Sequence, residues 1–291
     1  MGKMTMFPTK RRVLTLLAAA LSLMPSIAMG GTSDTVKSTQ AIRIGYRADA
    51  PPFSYNEANS SEPTGYIVDL CRAVAGKLAD QLGIPSLKVA YVAVTAENRF
   101  DMVEKHSVDL LCEPTSATLS RREHVDFSIA TFVDGAGLLS RDPNLHNLAG
   151  LTGRKIGVLA GTTTEHILRD KLSSAGIPAE ITLAKTHAEG LSLLDAGTIS
   201  AYFADRSILM SLVNDSKDPG KLAIADQYLT VEPYALALAH GDEDFRLAVD
   251  TALSRIYRSG EISAIFNHAF AGKAKPSDLL QVLYLLSALP D

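Results

Sequence analysis

Residues Val108 to Ser128, VDLLCEPTSATLSRREHVDFS, run from an apolar strand (Val108 to Leu111) into a loop dense in hydroxyls. Thr115, Ser116, Thr118 and Ser120 supply those hydroxyls, and Arg121 follows directly. A guanidinium presents a planar fork of donors that matches a carboxylate bidentately, and neighbouring hydroxyls fill the remaining lone pairs. The stretch therefore suits capture of a small carboxylate. A surface loop with a solvated Arg is the competing reading, since loops of this composition are common.

On both sides of this stretch, strand-like and helix-like segments alternate. Ala41 to Tyr46 reads as a strand with Ile42 and Ile44 on one face, broken by Pro51 and Pro52. Apolar residues then recur at Ile67, Leu70, Cys71, Val74, Leu78 and Leu82, which is helical spacing ended by Gly83. Leu87 to Val94 reads as a strand and Asn98 to Glu104 as a short helix. A second block repeats the alternation: strands at Lys155 to Leu159, Ile181 to Ala184 and Ser200 to Phe203, each followed by a helix. Thr162 with Glu165 forms a capping box at the first of these helices. Tyr234 to Ala239 leads back out, followed by helices from Phe245 to Tyr257 and from Glu261 to Phe270. The Leu-rich segment from Ser277 is expected to pack on the first domain.

Alternation of this kind predicts an α/β fold with largely parallel sheets. The expected organisation is a discontinuous first domain, residues 31–134 plus 236–291, with residues 135–235 inserted as a second. Ligand would then lie in the cleft between them, at the carboxyl ends of the strands.

The first thirty residues read as a secretory signal peptide. Lys3, Lys10, Arg11 and Arg12 precede an apolar run from Val13 to Met24, and small residues follow at Ser26, Ala28 and Gly30. The signal carries all four of its charges as cations, so its removal moves the net charge from -4 to -8. That sign argues against nucleic acid as a partner. Two cysteines, Cys71 and Cys112, in an exported chain suggest one disulfide, with two buried thiols as the alternative. The seven His show no metal-ligand spacing, so neither a metal nor another cofactor is expected.

No GxSxG, GxGxxG or P-loop pattern is present, and no catalytic residue is assigned. What remains are groups suited to holding an amphoteric small molecule. Arg47 ends the first strand, and Arg99 begins a short helix. Thr162 and Thr164 stand at a helix N-terminus, an anion site by geometry and dipole. His187 also begins a helix, and Asp205 follows a strand. Phe53 and Tyr55 could stack on an aliphatic ligand stem. Each has a bland alternative: a solvated Arg, simple capping, a surface His or a core aromatic.

Their order along the chain is more specific. IRIGYRADAPPFSY, TGYIVDLCRAVAGKL, TAENRF, the opening stretch, LAGTTTE, AKTH, AYFAD and YALAL together resemble the periplasmic solute-binding proteins of polar amino-acid ABC transporters. The resemblance covers nearly the whole chain after the signal and is strongest to the glutamate/aspartate-binding branch. It implies a hinged, two-domain periplasmic-binding-protein-like fold of type II that closes on one amino acid and delivers it to a membrane permease, as a monomer. By motif position, Arg121 would clamp the ligand α-carboxylate with Ser116 and the Thr162–Thr164 helix terminus, and Asp205 would take the α-ammonium. Arg47, Arg99 and His187 would hold a side-chain carboxylate. Hinges are expected near Thr131 to Leu138 and Glu232 to Leu238.

Three residues depart from that branch: Glu113 stands where Gly is usual, Pro114 where a ligand-binding Ser is expected, and Ala96 in place of a hydroxyl. The resemblance extends to periplasmic cyclohexadienyl dehydratases. Glu113 or Glu165 would be the acid in that alternative.

Overall fold

Two five-stranded sheets organise the chain in the computed structural model, which describes residues 1–3, 30–58, 60–272 and 274–290. The expected signal peptide lies almost wholly outside the described residues. The first sheet has the order Lys88–Val94, Ala41–Arg47, Leu110–Leu111, Glu232–Ala239, Val125–Asp134. The second has the order Glu180–Ala184, Lys155–Leu159, Ala201–Asp205, Ala136–Ser140, Ala223–Ile224. Three strands of each sheet are parallel, as the alternation predicts. In each sheet a fourth strand, Glu232–Ala239 or Ala136–Ser140, runs against them, and the edge strand beyond it pairs antiparallel with that fourth strand. They arise because the chain leaves one lobe for the other and returns.

That double crossing is one ribbon. Val125–Asp134 pairs antiparallel with Glu232–Ala239, ending with Asp134 opposite Glu232. The outgoing strand passes through Gly135 straight into Ala136–Ser140 of the second sheet. A Cβ on Gly135 would lie 2.0 Å from the Thr230 carbonyl oxygen, so only glycine lets the two crossings pass this closely.

The core of the first lobe shares one cluster with Tyr202 and Leu209 of the second, while the rest of the second packs separately. In the first, Ala41–Arg47 buries Ile42 and Ile44 completely. The helix Tyr66–Leu82 sets Ile67, Leu70, Cys71, Val74 and Leu78 against them, and Gly83 at φ 66° ends it. Cys71 on this face reaches Cys112, just past Leu110–Leu111, in a disulfide with Cα atoms 6.2 Å apart. An aromatic cluster of Phe53, Tyr66, Phe132, Tyr234 and Phe270 fills the base of the lobe. The helix Asp278–Ser287 buries Leu280 and Tyr284 against this lobe, with the Tyr284 hydroxyl 2.7 Å from that of Tyr66. In the second lobe, Leu138, Ile156, Val158, Leu168 and Phe203 form a separate apolar cluster.

Two local elements go beyond the sequence reading. Thr32–Thr39 is a helix. The segment around Pro51 and Pro52, expected only to break a strand, is a turn within a small sheet of Asp49–Ala50, Ser54–Asn56 and Pro63–Thr64.

Candidate ligand-binding cleft

The carboxyl ends of the parallel strands of both sheets meet across one cavity. From the first lobe come Arg47 at the end of its strand, Arg99 beyond Val94, and Pro114, Ser116 and Arg121 beyond Leu111. The second lobe contributes Thr162, Thr163 and Thr164 after Leu159, His187 after Ala184, and Asp205 with Phe203, Ala204 and Ile208. The cavity is tight as it stands, with about 20 Å³ open to the centres of water-sized spheres. Strand ends suit such a site because the loops and helix N-termini that follow present free N–H groups and side chains.

The lobes touch around the cavity rim. Ser116 Oγ and Thr163 Oγ1 are 3.3 Å apart, and Arg99 Nη2 donates to the Gly161 carbonyl at 3.3 Å. Gly161 has φ 73°, and a Cβ there would meet the Ala96 carbonyl oxygen at 3.2 Å. The His187 amide donates to Asp49 Oδ2 at 3.3 Å. Thr162 caps its helix by accepting from the Glu165 amide, while Glu165 returns a bond to the Gly161 amide rather than to Thr162.

Three guanidinium groups converge, each held differently. Arg47 is 3% exposed and gives both Nε (2.9 Å) and Nη2 (2.7 Å) to Asp49 Oδ1. Arg99 is 2% exposed and donates through Nη1 to the Ala96 carbonyl at 2.6 Å. Glu113, fully buried, lies between them, 3.4 Å from Arg99 Nε and 4.0 Å from Arg47 Nη1, and accepts from the Thr115 hydroxyl. Arg121 donates through Nη1 to the Ser116 carbonyl at 2.8 Å and lies over the Phe100 ring at 5.0 Å. Among the described residues no carboxylate is ion-paired with Arg121.

Burial governs the titration of the site. It lowers Arg99 to about 10, helped by Arg121 and Arg47 and opposed by Glu113. Burial also lowers Arg121 and raises Glu113, the latter against the pull of Arg99, Arg47 and Arg121. Burial works to raise Asp49 too, but the attraction and hydrogen bond of Arg47, with the bond from the His187 amide, leave it below its ordinary value. His187 falls to about 3, by burial first and then by Arg47, so it is neutral; its Nδ1 is 3.0 Å from the Tyr202 hydroxyl. Asp205 rises to about 7, by burial first and then by the neighbouring Asp134 carboxyl. The residue keeps part of its surface open, yet Oδ1 is enclosed; the carboxylate faces the Tyr234 hydroxyl, without a hydrogen bond of good geometry between them.

Eight of the nine sequence-predicted ligand residues line the cavity: Arg47, Arg99, Ser116, Arg121, Thr162, Thr164, His187 and Asp205. Phe53 does not. It is fully buried in the aromatic cluster, 4.9 Å from Phe132 and 5.4 Å from Tyr234 between ring centroids, and offers no face to a ligand. Tyr55 also lies away from the cavity lining. Thr163 was missed as a named residue, although it stands between two threonines that were assigned. Its hydroxyl donates to Glu232 Oε2 at 2.8 Å. Asp49 was missed as well; its position two residues after Arg47, with the chain turning between strands, was the available signal.

The sequence pattern of the bacterial extracellular solute-binding proteins, family 3, matches residues 42–272. The chain belongs to that family. An L-glutamate/L-aspartate-binding protein of Pseudomonas aeruginosa is 31% identical over 268 residues, covering 91% of this chain and 89% of that protein. A solved cysteine-binding protein of Campylobacter jejuni superposes with a TM-score of 0.73 at 21% identity, over 84% of this chain and 97% of that one. An ancestral amino-acid-binding protein, described as a precursor of cyclohexadienyl dehydratase, gives a TM-score of 0.72 at 23% identity, over 83% of this chain and 100% of that one. This family 3 chain therefore has the two-domain α/β fold of periplasmic amino-acid-binding proteins, with its cleft at the strand ends of both lobes.

Proposed function

We propose that the protein is a periplasmic receptor that closes on one amino acid and delivers it to the membrane permease of an ABC transporter, acting as a monomer. One observation carries the reading. The cleft brings together one guanidinium and one carboxylate, Arg121 and Asp205, neither of them ion-paired among the described residues. An α-carboxylate on the first and an α-ammonium on the second would complete both. Ser116 and the helix N-terminus at Thr163 and Thr164 would add donors to the carboxylate.

Closure would be a rotation of residues 135–235 against residues 31–134 plus 236–291 about the ribbon at Gly135 and Glu232. Similarity to the glutamate/aspartate-binding protein of Pseudomonas aeruginosa supports an amino acid as cargo, and the cationic start of the sequence supports export. The dehydratase alternative has less support. Glu165 is committed to the Gly161 amide and Arg169, and Glu113 is enclosed behind the cavity wall, so neither acid lines the cavity.

Isothermal titration against glutamate, aspartate, glutamine, asparagine, lysine and arginine tests the reading. Binding of at least one is expected, and ligand at 100 times its dissociation constant should add about 2.7 kcal/mol to unfolding stability. Failure of every amino acid to bind would end it.

A further inference from the structure

The charged side chains that line the cleft can accept one cation–anion pair, while the carboxylates of Asp134 and Glu232 beside it are held by the neutral donors of Gly135, Ser207, Thr163 and Thr230. Arg47 is already engaged by Asp49 through two contacts, at 2.7 and 2.9 Å. Arg99 faces Glu113 at 3.4 Å, and the same carboxylate reaches toward Arg47 at 4.0 Å. Two cations thus meet two carboxylates that belong to the chain. Arg121 and Asp205 remain, of opposite sign, and a zwitterion matches both.

A ligand with an acidic side chain brings a further negative charge. In a closed cleft that charge must lie near Arg47 and Arg99, whose fields are spent on Asp49 and Glu113. Like charges brought together away from water repel strongly, because little solvent screens them. His187 lines the same region as a neutral ring and can offer a hydrogen bond but no positive charge.

We propose that Glu113 is a specificity-determining residue, a built-in carboxylate between Arg47 and Arg99 that biases the cleft toward amino acids with uncharged side chains and against glutamate and aspartate. The proposal rests on the receptor reading above. It also places Glu113 at the wall and not on the ligand, since it does not line the cavity. Its action is through the two guanidiniums, whose charge it neutralises in advance.

The test is calorimetric titration of the unaltered protein and of Glu113→Gln with two matched pairs, glutamine with glutamate and asparagine with aspartate. The unaltered protein should bind the amide of each pair more tightly, by about tenfold or more. Glu113→Gln keeps the side-chain shape and removes the charge, so it should narrow or reverse that ratio, gaining about tenfold for the acid. Tighter binding of the acid by the unaltered protein, with or without proton uptake, overturns the proposal and leaves the receptor reading standing. So does a folded Glu113→Gln protein with an unchanged ratio. If the variant does not fold, the order of affinities in the unaltered protein decides. Absence of binding by any amino acid removes proposal and receptor reading together.

Discussion

Replacing Arg121 by Ala should separate binding from folding. In the folded chain this guanidinium makes one hydrogen bond to a backbone carbonyl, at 2.8 Å, and lies over Phe100 at 5.0 Å. Those contacts contribute about 1 kcal/mol each. The longer-range contributions oppose one another: burial and Arg99 disfavour the Arg121 charge, while Glu113, Glu232 and Asp205 favour it. Stability should therefore change by no more than about 1–2 kcal/mol. Binding is another matter. A ligand carboxylate enclosed opposite an alanine keeps the penalty of leaving water and loses its counter-charge, a difference of about 2–5 kcal/mol. At 1.36 kcal/mol per decade this is a loss of roughly 30- to 5,000-fold in affinity. Arg121→Lys should fall between, since it keeps the charge but not the planar fork. Urea denaturation reads the first effect and isothermal titration the second. A folded Arg121→Ala protein with affinity within about threefold of the unaltered one would refute the clamp.

Replacing both Cys71 and Cys112 by Ser opens a loop whose ends are 41 residues apart, and the chain-entropy relation gives a loss of about 4 kcal/mol. Urea midpoints should show it, and a change under about 1 kcal/mol contradicts it. Ligand affinity should fall as pH drops below about 7, because the ammonium must displace the proton that Asp205 takes up there. Titration across that range should show a decline approaching tenfold per pH unit, and a flat response would remove Asp205 from ammonium binding. His187 carries a stability slope. Its folded value is depressed from 6.5 to about 3, so the unfolded chain takes a proton that the folded chain refuses, and stability is lost as pH falls from 6.5 toward 3. Because Asp205 is shifted upward and contributes the opposite slope, denaturation should be compared in Asp205→Asn with and without His187→Gln. An unchanged slope would show that His187 is protonated in the fold.

Much of the cleft was legible because its residues follow strands, and strands with Ile42 and Ile44 or Ile156 and Val158 announce themselves by apolar side chains. Arg47, Arg99, Arg121, Thr162, His187 and Asp205 each stand at such an end or just beyond it. The disulfide was legible for a similar reason, since Cys71 shares a helix face with Leu70, Val74 and Leu78. Phe53 was misread because a Pro-Pro-Phe segment beside a site residue has no period of its own. Its burial depends on Phe132, Tyr234 and Phe270, which come from three distant parts of the chain. The enclosure of Glu113 was hidden for the same reason, whereas the pairing of Asp49 with Arg47, two residues apart, was open to a local reading. Sequence supplies the charges, but their partners are chosen by the way two lobes and several loops converge.

Gly135 keeps the two crossings in close contact. A methyl group there would collide with the Thr230 carbonyl at 2.0 Å, so any side chain at this position would push the outgoing strand away from the returning segment. Because these segments join the two lobes, the displacement would reach the cleft from outside it: in the proposed receptor, Gly135→Ala would alter ligand affinity without touching a residue that lines the cavity.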